Sequence, residues 1–110
     1  METKIRWTNQ AILNLNNIHN YISSGSKTYA DRFISSLILT TEKQLQHYPH
    51  SGRPVPEFNN TQIHFLREVV FKGYRIIYNP LNVPERIAII SVMHGRMDVL
   101  RNIKSIWELD

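Results

Sequence analysis

The chain opens on a short alternation. From Lys4 to Thr8 polar and apolar residues take turns, the period of a half-buried strand with Ile5 and Trp7 turned to the core. The period then lengthens: Ala11, Leu15, Ile18 and Ile22 recur at intervals of four, three and four, one stripe of a helix capped by Thr8. Ser23-Ser24-Gly25-Ser26 ends that helix. Ser26 caps a second one, whose Ala30, Phe33, Ile34, Leu37, Ile38, Thr41 and Leu45 share a face and whose end is marked by Pro49. So short a connection predicts an antiparallel helix hairpin. His50 to Asn60, with Gly52, Pro54 and Pro56, reads as a loop. Beyond it the period falls to two. Ile63 to Phe71, Tyr74 to Asn79 and Arg86 to Met93 are rich in β-branched and aromatic residues and predict a three-stranded antiparallel meander, with Lys72-Gly73 as a tight first turn. Val99, Ile103, Ile106 and Trp107 return to near-helical spacing and predict a short C-terminal helix. The expected class is α+β, with the helix hairpin covering one face of the sheet.

A chain of 110 residues, 42% of them hydrophobic and without linkers, repeats or low-complexity tracts, reads as one domain over 1–110. Such a length buries roughly two-thirds of the unfolded surface, enough for a core without a metal or a disulfide. The absence of cysteine excludes disulfides, thiolate zinc sites and cysteine nucleophiles, and suits the cytoplasm. No apolar run has the form of a signal peptide or the length of a membrane span, so no membrane association is expected. The net charge of +4 is moderate, but its placement is informative: from Arg67 to Lys104 there are seven bases against three acids, a positive surface for phosphates or an acidic peptide. A P-loop, a dinucleotide glycine motif and a serine hydrolase elbow are absent. His47 and His50 are split by Pro49, with no cysteine or carboxylate cluster beside them. No metal, cofactor or small-molecule substrate is therefore expected.

Short words stand in a particular order along these elements: Trp7 before the first helix, Ala11 and Tyr21-Ile22 within it, Ala30 and Phe33 opening the second. The loop carries Pro49-His50-Ser51-Gly52-Arg53-Pro54-Val55-Pro56-Glu57. The strands carry Arg67-Glu68, Tyr74-Arg75-Ile76-Ile77-Tyr78 and Val92-Met93-His94-Gly95-Arg96. This series resembles the RelE/ParE toxins over almost the whole chain. The resemblance implies the toxin of a bacterial type II toxin-antitoxin system, held inactive by a cognate antitoxin. One branch of that family cleaves messenger RNA on the ribosome and the other poisons DNA gyrase.

Cleaving RNA through its 2′-hydroxyl needs a base for that proton, an acid for the leaving oxygen and cations on the phosphate. Arg53, Arg67, Arg75 and Arg96 are candidate cations, and Glu57 or His94 candidate proton carriers. The pattern nevertheless departs from the nucleases. RelE-like members place lysines on the strand before the Tyr-Arg word, where this chain has Leu66 and Glu68, and a tyrosine after the last arginine word, where it has Asn102. No tyrosine follows Tyr78. A second nuclease subgroup has an aromatic residue after the last-strand histidine, and here that residue is Gly95. The resemblance is therefore closer to the ParE branch, which implies gyrase inhibition without a catalytic side chain. Arg67, Arg75, His94, Arg96 and Arg101 are then candidate target contacts. The ribosome-dependent nuclease, with Arg67, Arg75, His94, Arg96 and Glu57 as its site, is the alternative, and a non-toxic binding module or degenerate toxin the third reading.

Each candidate has a plainer role. Alternation places Arg75 with Ile77 and Asn79 on one face of its strand, where a partly buried arginine needs a partner such as Glu68; Arg67 then points to the other face and is left free. Arg53 and Glu57 flank a proline-rich loop and read as structural. His94 and Arg96 end the last strand, where an edge histidine and a solvated base are the ordinary outcome. Trp7, Tyr21, Phe33, Phe71 and Trp107 alternate with aliphatic residues and read as core rather than as a stacking platform.

Overall fold

The computed structural model describes residues 2–95. Strand β1 (Lys4–Trp7) leads into helices α1 (Asn9–Ser23) and α2 (Lys27–His47). A two-residue strand β2 (Arg53–Pro54) and a 3-10 turn (Pro56–Phe58) follow, then β3 (Arg67–Phe71), β4 (Tyr74–Asn79) and β5 (Arg86–His94). The sheet order is β1-β5-β4-β3-β2, with β1 parallel to β5 and every other pair antiparallel.

Both helices start where the sequence places their caps. The hydroxyl of Thr8 accepts from the Ala11 N–H and that of Ser26 from the Tyr29 N–H. The apolar stripes face the sheet: Ala11 and Leu15 from α1 and Ala30, Phe33, Leu37, Thr41 and Leu45 from α2 are buried, against Val69, Ile76, Tyr78, Ile87, Ile89 and Val92 of the strands. Each fully buried Leu or Ile contributes on the order of 1.5–3 kcal/mol relative to exposure. The meander is closed by Lys72 (φ 46°) and Gly73 (φ 86°), both in the left-handed region that lets a two-residue turn follow the twist of its strands.

A bulge fixes how α1 meets the sheet. Ile77 stands opposite Ser91 and Tyr78 opposite Ile89, which leaves Ile90 as the extra residue. The Asn14 side-chain oxygen accepts from Ser91 Oγ (3.1 Å) and from the Val92 N–H (3.0 Å), and the Thr8 hydroxyl donates to the Ile89 carbonyl (2.8 Å). Polar groups that the bulge takes out of the ladder are thus satisfied from the helix.

Four expectations need correction. The expected first strand and the meander are present, but the sheet has five strands, because β1 pairs with β5 and an unexpected β2 pairs with β3. The strand expected from Ile63 begins at Arg67; residues before it form turns, whose Ile63, Phe65 and Leu66 join Val55, Phe58, Ile77, Ala88, Ile90 and Met93 in a second core on the face away from the helices. The expected loop over His50 to Asn60 contains β2 and the 3-10 turn, because its prolines suit an edge strand and the first position of a helical turn. Tyr21, expected in the core, is 79% exposed: it falls outside the Ala11-Leu15-Ile18-Ile22 stripe by one position. Phe33 is buried, and Trp7 and Phe71 are half-buried against the core. The expected C-terminal helix, with Trp107, lies outside the described residues.

Candidate functional site

Of the candidate residues, Arg75 and His94 lie near the end of the sheet where β3 and β4 turn and β5 ends, whereas Arg67 starts β3, opposite Tyr78. On the face away from the helices, Glu68 of β3 and Arg75 of β4 point the same way, as the alternation requires. Arg75 donates from Nε to Glu68 (2.7 Å) and from its two Nη atoms to both oxygens of Glu57 (2.7 and 2.6 Å). Arg53, brought opposite Glu68 by the β2–β3 register, donates from Nε to the other Glu68 oxygen (2.6 Å). The result is a linear chain of alternating charge, Arg53–Glu68–Arg75–Glu57. Its inner members are buried, with Glu68 at 0% and Arg75 at 9% side-chain exposure, while Glu57 (35%) and Arg53 (61%) face outward. Both oxygens of Glu68 are engaged, as burial of a carboxylate demands.

The hydrogen bonds from Arg75 hold the Glu57 carboxyl at about 2, well below its usual 4.5, while its partial burial works in the opposite direction. The same contacts push the Arg75 guanidinium upward. Because the folded-state pKa of Glu57 is depressed, its contribution to stability is fully present above about 4.5 and is lost as pH falls through about 2. Urea unfolding midpoints measured between those two values are expected to fall with pH in the wild type and to fall less in Glu57→Gln.

Arg67, on the opposite face of β3, donates from Nη1 to the Gly52 carbonyl (2.6 Å). The expectation that it is left free is therefore corrected: the same backbone that pairs β2 with β3 carries an acceptor within its reach. The Gly52 N–H donates to the buried Tyr78 hydroxyl (3.0 Å), so both polar groups of Gly52 are held by side chains.

On the helix side of the same end, His94 packs edge-on against Tyr74, with ring centroids 5.4 Å apart and planes at 89°. Tyr74 in turn meets Phe33 (5.6 Å). Burial raises the Tyr74 hydroxyl above its usual value, with a further push from Tyr21. Tyr21, Tyr74 and His94 border an open cleft of about 470 Å³ between α1 and the ends of β4 and β5, lined also by Asn14, Asn17, Ile18 and Val92. Sequence reasoning missed Asn14, Asn17 and Tyr21. Their signal is a spacing of three and four, a second stripe on α1 beside the apolar one.

The structure thus brings Glu57, Arg75 and Glu68 together, sets Arg67 and His94 apart from them on the other face or at the strand end, and leaves Arg96 and Arg101 outside the described residues. Glu57 is ionised and has both oxygens committed, which makes it a poor general base. His94 and Tyr74 are the side chains in the cleft that can both donate and accept hydrogen bonds. Among the described residues no three metal-ligating side chains stand together, and no helix is long and apolar enough to cross a membrane.

Solved structures share this architecture. One, from the chromosomal ParDE toxin-antitoxin system of P. aeruginosa, is 16% identical, with a TM-score of 0.65 over 84% of this chain and 96% of that one. Another, from the toxin-antitoxin complex RelBE2 of Mycobacterium tuberculosis, is 16% identical, with a TM-score of 0.63 over 86% and 99%. A mutant of the E. coli toxin RelE in the free state is 11% identical, with a TM-score of 0.52 over 99% and 94%. At these identities the likeness shows an α+β fold of the RelE/ParE type. No curated protein matches the sequence significantly. Residues 5–99 match the family model described as the ParE toxin of the type II toxin-antitoxin system parDE. That match spans both helices, all the strands and the ion-pair chain, and the chain belongs to the ParE toxin family.

Proposed function

We propose that this toxin acts by binding DNA gyrase and is neutralised by a cognate antitoxin, with no catalytic side chain of its own. The observation that carries this reading is the state of the would-be nuclease groups. Arg75 and Glu57 satisfy one another, and the arginine is buried, so a phosphate would have to displace an internal carboxylate before meeting that cation. What this end of the molecule offers outwardly is an aromatic and amide-lined cleft, chemistry suited to protein contact: Tyr is among the residues that carry most binding energy at interfaces. The antitoxin is expected to be a short acidic protein encoded beside the toxin, matching the net charge of +4.

A gyrase supercoiling assay with purified toxin tests the reading. Inhibition or trapped DNA cleavage, reversed by antitoxin, is the expected outcome, and Tyr21→Ala with His94→Ala is expected to weaken inhibition by about tenfold or more, the effect of losing interface anchors. Unaffected gyrase together with cleaved messenger RNA on ribosomes would replace it with the nuclease reading, which the pairing of His94 with Tyr74 in a cleft favours.

A further inference from the structure

The outer end of the ion-pair chain has the form of an occupied binding site. The two Nη atoms of Arg75 present a fork that a planar carboxylate fills with both oxygens, and the carboxylate filling it is Glu57. Glu57 sits on a 3-10 turn of three residues whose Phe58 is fully buried. Beside it lies a shallow pocket of about 340 Å³, lined by Arg53, Pro56, Val70, Gly73, Arg75 and Gly95. Arg53 spends only Nε on Glu68. Its Nη atoms have no hydrogen-bond partner among the described residues, and the side chain is 61% exposed. Two glycines in the wall let a ligand approach the backbone closely.

We infer that this pocket is a carboxylate-binding site in which Glu57 is the resident competitor, and that an acidic side chain of a protein partner enters by taking the Arg75 fork from Glu57 while Arg53 grips it from the rim. The assignment to a carboxylate rests on Glu57, whose planar carboxyl group already fills the Arg75 fork with both oxygens. The exchange replaces one buried ion pair with another, so Arg75 is never left unpaired, and the alternation of charge along Arg53–Glu68–Arg75 is kept. The inference stands whether the target is gyrase or the ribosome; it concerns what this face recognises in a protein.

A simple structural clasp and an occupied site differ in sign when Glu57 is removed. A competitor that fills the site most of the time lowers the apparent affinity of a ligand by the fraction of time the site is open, so freeing it raises affinity. The test is titration of the full chain with a hexaglutamate peptide at low salt, followed by the NMR shifts of Arg75 Nε–H and of the Gly73 and Gly95 amides. Glu57→Gln is expected to bind at least about tenfold more tightly than wild type, the gain for a site open a tenth of the time. Arg53→Gln in the same background should abolish the gain. Glu85→Gln makes the same change of net charge at another exposed position and should give none. Equal affinity of Glu57→Gln and wild type, a gain matched by Glu85→Gln, or shifts away from those three groups would overturn the inference. A gain for inorganic phosphate but not for hexaglutamate would overturn its assignment to carboxylates.

Discussion

Gly52→Ala is expected to lower the melting temperature by roughly 8–24 °C, since overpacking a filled site at three contacts costs about 2–3 kcal/mol and each kcal/mol moves a domain of this size by roughly 4–8 °C. A Cβ at this position would lie 2.6 Å from the Tyr78 hydroxyl oxygen, 2.7 Å from Tyr78 Cε1 and 2.7 Å from the Glu68 carbonyl oxygen. One of those atoms belongs to a paired strand and the others to a fully buried ring, so none can retreat without moving the sheet. The shift also threatens the hydrogen bonds that Gly52 makes to Tyr78 and Arg67. Tyr78→Phe in the Gly52→Ala background removes the nearest atom but leaves the carbonyl and the ring edge, and should recover only part of the loss. Thermal unfolding followed by circular dichroism checks both variants; a Gly52→Ala midpoint within a few degrees of wild type would contradict the packing argument.

Glu68→Ala is expected to cost about 3–5 kcal/mol, the range for removing one partner of a buried ion pair. It takes away the carboxylate that bridges Arg53 and Arg75 and leaves the buried Arg75 with Glu57 alone. Arg53→Ala, which removes a mostly exposed partner from the same carboxylate, should cost much less, about 0–1 kcal/mol. The double variant Glu68→Leu with Arg75→Met replaces the buried charges by apolar groups of similar size and should be more stable than Glu68→Ala, because no buried charge is orphaned. Denaturant unfolding of the three variants orders them. If Arg53→Ala proved as damaging as Glu68→Ala, the division between buried and exposed members of the chain would be wrong.

These two predictions rest on one arrangement. Gly52 lets β2 approach Tyr78 closely, β2 carries Arg53 to Glu68, and the turn after it delivers Glu57 to Arg75. A segment that reads as loop therefore supplies half of the ion-pair chain and part of the second core. Its structural importance explains why Arg53 and Glu57 are poor nuclease groups while remaining accessible from outside.

Much of the frame was legible along the chain because local periodicity reports which side of an element is buried. The stripes of α1 and α2, the caps at Thr8 and Ser26, the Lys72-Gly73 turn and the side of β4 on which Arg75 sits all follow from spacing and residue type within a few positions. The contact of Arg75 with Glu68 followed too, since both lie on adjacent strands joined by a turn of known length. The tertiary structure alone decided the rest. The parallel pairing of β1 with β5, the bridging of Thr8 and Asn14 to the β5 bulge and the clasp of Glu57 on Arg75 join residues from 18 to 82 positions apart. No period in the sequence encodes such meetings: they are selected by burying two sheet faces at once and by the need of each buried polar group for a partner. Tyr21 shows the limit in a single residue, since one position along α1 separates a core side chain from one that borders the cleft.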